Sequence, residues 1–474
     1  MNRTKYLVKN VGILAASNFA SKILVLLLVP LYTSVLSSEE VGLYDIVVSS
    51  VGLVFPLLTL NIVDALMRFL MDKSKSKEEV VSIAFRVVTI SVAIVALFLI
   101  ISTRFEVFHA FRGYEIYIFV FYLFSSYYSF FVQLAKGLEL VSVMGVASVI
   151  GTATTLTFNI VLLVGYRMGL QGFFIANILG QVFPISYFAI RTKVWRHINC
   201  KINKALKEEM LLYCMPLIAT AVSWWVNSTA DKYVVSFVCG LAATGILSVS
   251  YKIPAIINTL QGIFIQAWQI SAIKEYGKDS SKFYGKAFKT LNMFMVVSCS
   301  GLIILNKVIA RLLFRKEFFA AWQYVPFLLI SCVFNCAAGM LGPILSARKE
   351  SKPMAMSAVC GVISNIVLNI LLTILIGVQG AVIATAFSSY VIYQVRKHAV
   401  KGELYIERYP VVVLTWVLLC VQAFLEIYTT LWWIEVAILL AIFFLYRADI
   451  MQMFGMIKGI IASKEDELST QKKG

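Results

Sequence analysis

The sequence predicts an all-α integral membrane protein of about fourteen spanning helices, arranged as two six-helix pseudo-symmetric lobes followed by two further helices. Three observations carry that expectation. Hydrophobic residues fill 60% of the 474 positions and charged residues only 14%, whereas a soluble domain holds ~45–50% apolar and ~25% charged residues. Apolar runs of spanning length, ~17–25 residues, recur from end to end. Residues of the first half also reappear, in order, in the second half at a nearly constant spacing.

The balance of charge is +17. In a chain with a mean hydropathy of +0.84, this reads as lysine and arginine in cytoplasmic loops rather than as a nucleic-acid footprint. Eight cysteines are present without a C-x-x-C spacing, and Cys239, Cys299, Cys332 and Cys420 lie in or beside apolar runs. The three histidines, His109, His197 and His398, stand far apart. No metal site and no cofactor are expected. The basic start, Arg3, Lys5 and Lys9, precedes an apolar stretch longer than a signal-peptide core and without an A-x-A cleavage site, so it reads as a retained first helix.

Taken in order, spanning helices are expected near 11–35, 43–66, 81–102, 114–135, 141–165, 170–190, 210–229, 244–269, 290–305, 323–346, 354–376, 379–395, 410–427 and 431–446. The tail 447–474 is polar, and Met451–Ile461 fits an amphipathic surface helix. With the N-terminus placed in the cytoplasm, lysine and arginine on the cytoplasmic side outnumber those outside about fourfold. The exception is the outer connector carrying Lys307, Arg311, Arg315 and Lys316.

The basic segment 191–209 is the longest break and is expected to be a cytoplasmic linker between lobes 1–190 and 210–400, with 401–446 supplying the two extra helices. Gly151 and Asn159 match Gly361 and Asn369 at a spacing of 210, and Leu170-Gln171-Gly172 matches Val378-Gln379-Gly380 at 208. Ala135-Lys136 pairs with Ala347-Arg348 at 212, and Gly42-Leu43-Tyr44 pairs with Gly245-Ile246-Leu247 at 203. Parallel six-helix repeats are a transporter signature, with the substrate path between repeats and alternating access by rocking of one against the other.

Polar residues inside apolar runs are the candidate site. Lys22 lies about 11 residues into helix one, roughly 16 Å along it and near mid-bilayer, where a charge costs at least ~2.5–3.5 kcal/mol unless it faces a wet or paired interior. Asn18 and Thr33 share its face. In helix eight, Lys252 forms a stripe with Ser248, Thr259 and Gln266, either lining a cavity or gluing helices together. Asn61, Asp64 and Arg68 end helix two on its cytoplasmic side, either as a gate or as an Asp64–Arg68 pair four residues apart. Asp231-Lys232, just beyond helix seven, reads as a self-neutralising pair. The acids Asp64, Glu426 and Glu435 are placed near helix ends. No G-x-x-x-x-G-K-[ST] loop is present, and no connector is long enough for a catalytic domain, so no catalytic residue is assigned.

The stretches SKILVLLLVPLYTSVLSSEEVGLYD, DKYVVSFVCGLAATGILSVSYKI and AWQYVPFLLIS resemble bacterial polysaccharide flippases. These are the oligosaccharide-unit exporters of the multidrug/oligosaccharidyl-lipid/polysaccharide superfamily. The resemblance covers essentially the whole chain, most clearly 10–70 and 210–350, through diffuse patterns rather than an active-site signature. It implies fourteen helices and a MATE-like pair of lobes in a bacterial cytoplasmic membrane, with both termini inside. It implies translocation of an undecaprenyl-diphosphate-linked oligosaccharide from inner to outer leaflet for capsule, O-antigen or exopolysaccharide. Partners would be that lipid-linked sugar, membrane lipids, H+ or Na+, and polymerase or other assembly proteins. Such proteins line their cavity with cationic residues, and Lys22 and Lys252 stand at compatible positions. Two relatives remain alternatives, a MATE-type multidrug or cation antiporter and a peptidoglycan lipid-precursor flippase. Cationic drugs call for carboxylates in the cavity, whereas helix one carries Lys22 and no acid.

Overall fold

In a bilayer every backbone amide must be satisfied within the protein, and this chain does so with helices throughout. The structure, a computed structural model, describes residues 24, 26–72, 74–102, 112–198, 203–277, 280–348, 350 and 352–452. Among these, eleven helices are long and apolar enough to cross a membrane, with Trp432–Leu445 a shorter apolar helix. The chain is a multi-pass membrane protein. The first expected helix falls mostly outside the described residues, as does the expected amphipathic tail beyond Gln452.

The helices are α1 (Val29–Val35), α2 (Ser38–Leu58), α3 (Ile62–Leu70), α4 (Lys77–Ser102), α5 (Glu115–Gly137), α6 (Val141–Asn159) and α7 (Gly169–Thr192). They continue with α8 (Lys204–Ser250), α9 (Lys252–Lys274), α10 (Ser280–Ile304), α11 (Asn306–Leu313), α12 (Val325–Ala347), α13 (Lys352–Ile376), α14 (Val378–Ala399), α15 (Tyr409–Tyr428) and α16 (Trp432–Leu445). Most expected spans are recovered within a few residues, and three differ for stated reasons. Pro30 stands in the first turn of α1, after a turn at Leu28. Helix two starts earlier than expected, because Ser37 and Glu40 form a capping box: Glu40 N–H donates to Ser37 Oγ at 3.2 Å and Ser37 N–H to Glu40 Oε2 at 2.8 Å. It also breaks before its expected end. Leu60 and Asn61 adopt φ of 50° and 53°, a left-handed step that asparagine tolerates better than most residues, and α3 restarts after it.

The third difference is α8. At Gly240 the backbone has φ 88° and ψ 171°, outside helical space and open to glycine. The chain reverses there. Asp231 and Tyr251, twenty positions apart, hydrogen-bond to each other, whereas twenty residues of unbroken helix would span ~30 Å. α8 is therefore two antiparallel limbs, and the second continues through Tyr251, whose backbone is helical, into α9.

Packing divides the chain into two compact units. The first takes the chain up to Thr259 together with Ala310–Ala321 and Val362–Ala384; the second comprises Leu260–Ile309, Trp322–Gly361 and Thr385 onward. In the first, α3 and α4 bury Ile62, Leu66, Val80, Val81 and Ala84 against Phe130, Leu134, Phe188 and Met210. α6 and α7 approach through glycines, since a Cβ on Gly180 would stand 1.9 Å from Thr155 Oγ1. In the second, α12 is the core helix, buried along most of its length. Trp268 Nε1 donates to Met340 O at 2.9 Å, and Arg396 spends its donors on Ala338 O at 3.0 Å and Ser357 Oγ at 2.9 Å.

Connectors sort to opposite ends as alternating passes require. In the first unit the α1–α2 turn meets the segment after α11, with Ser38 N–H donating to Glu317 Oε1 at 2.5 Å, and Gly169 lies beside Glu40. At the other end Lys75 pairs with Glu209 at 2.6 Å and His197 lies 3.7 Å from Glu78. In the second unit Arg348 pairs with Glu350 and Glu403, and Tyr405 N–H donates to Ser281 O.

Candidate functional site

α2 and the second limb of α8 touch backbone to backbone. A Cβ on Gly42 would lie 2.0 Å from Leu241 O, and one on Gly245 would lie 1.9 Å from Ser38 O. Side chains are excluded at that crossing, so the next residues along each helix are brought within reach of one another. Three positions on from each glycine, Ser248 Oγ donates to Asp45 Oδ2 at 2.6 Å. The spacing of 203 that relates Gly42 to Gly245 in the sequence is the spacing of this hydrogen bond.

Around Asp45 lies a network of charged groups contributed by three helical segments. Lys232, on the first limb of α8, reaches Asp45 Oδ2 at 2.7 Å, and the two side chains are only 17% and 20% exposed. Lys252, at the head of α9, also acts on Asp45 through its charge. Asp231, 4% exposed, accepts the Tyr251 hydroxyl, and Lys232 Nζ lies 5.7 Å from the Tyr251 ring centroid. Two acids are thus matched by two lysines. An isolated buried charge would cost several kcal/mol, which mutual pairing offsets. Trp225 Nε1 donates to Ser49 O at 2.8 Å, and the Tyr233 and Ser50 hydroxyls are 2.7 Å apart, so α2 is tied to the first limb as well. Asp45 lies seven residues into α2, about 10 Å from its start.

This arrangement corrects two expectations. Lys232 pairs across helices with Asp45 rather than with its neighbour Asp231, because the first limb runs on well past position 229 and carries both residues inside the bundle. Asp64 takes amide donors instead of Arg68: Asn61 Nδ2 at 2.7 Å and Gln133 Nε2 at 2.8 Å. Arg68 is exposed at the last turn of α3. The left-handed step at Asn61 turns that side chain back onto Asp64. Asn61, Asp64 and Gln133 line a cleft of about 280 Å³ walled by Phe55, Val63, Tyr128 and Val132.

Of the other expected site residues, Asn18 and Lys22 lie outside the described residues. Ser248 and Lys252 come together at Asp45. Thr259 turns its hydroxyl onto Ala255 O of its own helix at 2.8 Å. Gln266 lies on α9, and its side chain is outside the described residues. Sequence reasoning did not single out Asp45 or Tyr251, although the Gly42–Gly245 match pointed to the seam that holds them. Among the described residues no group of three or more His, Cys, Asp and Glu could hold a metal ion.

The sequence matches the family model described as polysaccharide biosynthesis protein over residues 7–269. Comparison with curated protein sequences gives no match. Among solved structures, a lipid II flippase, MurJ, in an inward closed conformation superposes with a TM-score of 0.69 at 18% identity, covering 93% of this chain and 99% of that one. An inward-facing multidrug resistance MATE family transporter of the MOP superfamily gives 0.64 at 12% identity, covering 82% and 94%. A MOP superfamily transporter from Pyrococcus furiosus gives 0.55 at 13% identity, covering 83% and 96%. At these identities the likeness is one of fold, and the fold is that of flippases and MATE transporters.

Proposed function

The chain belongs to the polysaccharide biosynthesis protein family, and from that premise we propose that it is a flippase for an undecaprenyl-diphosphate-linked oligosaccharide. It would carry the repeat unit from the inner to the outer leaflet of a bacterial cytoplasmic membrane by alternating access, feeding capsule, O-antigen or exopolysaccharide assembly. The observation that carries the reading is the Asp45–Lys232–Lys252 network at the Gly42–Gly245 seam. Two lysines held inside a membrane protein by an acid on a neighbouring helix are a store of positive charge. A diphosphate entering the bundle would compete with Asp45 for them and so weaken the contact that fastens α2 to α8. Substrate binding and seam opening are then one exchange of partners. Lys22 on the first helix is proposed as a further cation of the path, with Asn18 beside it. Asn61, Asp64 and Arg68 are proposed as the gate at the opposite end, with both termini cytoplasmic.

The membrane potential favours this direction, since an anion moving outward from a negative interior gains ~2.3 kcal/mol per charge per 100 mV; H+ or Na+ would be the coupling ion if one is used. Deletion of the gene should accumulate undecaprenyl-linked sugars on the inner leaflet. Reconstituted protein should show counterflow of the lipid-linked sugar that Lys22→Ala and Lys252→Ala abolish while both variants still insert. Normal surface polymer in both variants would end the cationic-path reading. The likeness of fold to a lipid II flippase supports a second reading in which the glycan is that of a peptidoglycan precursor. The composition of the accumulated lipid-linked sugar separates the two.

A further inference from the structure

At one end of the second unit two of the least exposed acids among the described residues meet. Glu426, in the last turns of α15, is 4% exposed, and Glu435, in the first turn of α16, is 2% exposed. Their carboxyls lie close enough to act directly on one another. A carboxylate has acceptors only, so the two can share a hydrogen bond only when one of them holds a proton. Two bare carboxylates at that separation would repel strongly in a medium of low dielectric.

The surrounding charges say the same. Among the described residues the cation paired with these acids is Lys307 of α11, whose Nζ lies 3.3 Å from Glu426 Oε2 and 3.0 Å from Glu426 O. One lysine faces two acids, and a single retained proton makes the group neutral. The remaining neighbours do not titrate in the ordinary range. Asn306, fully buried, donates Nδ2 to Trp322 O at 2.8 Å and to Glu426 Oε1 at 3.4 Å, while its Oδ1 is buried without a partner. α10 contributes Ser300, bonded to Gln422 one turn below Glu426, and α12 the Phe327 ring against Phe424.

Beside the pair an open cleft of about 520 Å³ is lined by Lys307, Trp322 and the turn Ile427–Leu431. Lys307 spans the two environments: its side chain is 33% exposed while that of Glu426 is 5%, and its Nζ sits 4.4 Å from the Trp322 ring centroid. We propose that Glu426 and Glu435 form a one-proton site that loads and releases H+ through this cleft. On release, the proton passes to water and leaves two carboxylates against one ammonium. The released state is a net anion, so the pair must part or await the next proton. The inference is independent of what the protein transports, since proton binding can be read without substrate. It also gives Lys307, the first residue of the anomalous basic outer connector, a partner of its own.

The test is infrared difference spectroscopy of the full chain in phosphatidylcholine vesicles during a pH titration. The wild type should show a protonated-carboxyl C=O stretch worth one carboxyl per chain that disappears on alkalinisation. Both Glu426→Gln and Glu435→Gln should lose it while keeping native helix content and elution behaviour. Lys307→Met, which removes the compensating cation, should double the band, because both carboxyls are then protonated. A wild type without the band, or a band unchanged in both glutamine variants, overturns the proposal. So does a band abolished by added NaCl at fixed pH, which would make this an Na+ site.

Discussion

Two buried charge clusters among the described residues are built by opposite rules. At the α2–α8 seam two acids meet two lysines, and Asp45 is satisfied by Lys232 at 2.7 Å and Ser248 at 2.6 Å. At the α15–α16 end two acids meet a single lysine, which reaches Glu426 at 3.3 Å. The first cluster is complete without any small ion, and its acids have partners that can be withdrawn only by a competing charge. The second is complete only when a proton is present. Balance by side chains makes a cluster respond to a charged ligand, while balance by a proton makes it respond to pH.

The harshest test of the seam is Gly245→Leu. With Ser38 O in the space of the new Cβ, the helices must part, and we expect a loss of about 3 kcal/mol in denaturant unfolding. A fully stable variant would mean that the backbones do not touch. Next comes the contrast itself. Asp45→Asn strips the lysines of their acid and should cost about 3 kcal/mol, whereas Glu435→Gln replaces a group already neutral and should fall within about 0.5 kcal/mol of wild type. Thermal unfolding in detergent at one pH reads both, and equal losses would dissolve the distinction. Combining Asp45→Asn with Lys232→Met should recover about 2 kcal/mol of the single-variant loss, because the two sites couple directly. Ser248→Ala removes one hydrogen bond to a charged acceptor and should cost about 1.5 kcal/mol. At Asn61 alanine should cost about 1 kcal/mol through its left-handed backbone; a neutral result there would place the break between α2 and α3 elsewhere.

The helices were legible because hydrocarbon leaves the backbone little alternative, and apolar length reports that constraint directly. Their ends were less so, and the ends decided the site. An expected start at 43 put Asp45 at a helix terminus, where an acid is unremarkable; the Ser37–Glu40 capping box moves the start to Ser38 and carries Asp45 inside. An expected stop at 229 left Asp231 and Lys232 in a connector, whereas the first limb of α8 runs to the reversal at Gly240. Ser248 and Lys252 stood out because polar residues interrupt an apolar run. Their partner did not, since pairing between distant helices depends on where two backbones cross. Asp64 was recognised, but its amide partner Gln133 lies on α5 and no local pattern links them.

Gly240 has one more consequence. The two limbs of α8 are joined by a single residue outside helical space, so the hairpin has no slack. Neither limb can slide along the other without tearing the Tyr251–Asp231 hydrogen bond eleven residues from the bend; the limbs can only swing as a fork about its base. Whatever parts α2 from Gly245 therefore also draws Lys232 away from Asp45, so steric release and the loss of the ion pair belong to a single stroke.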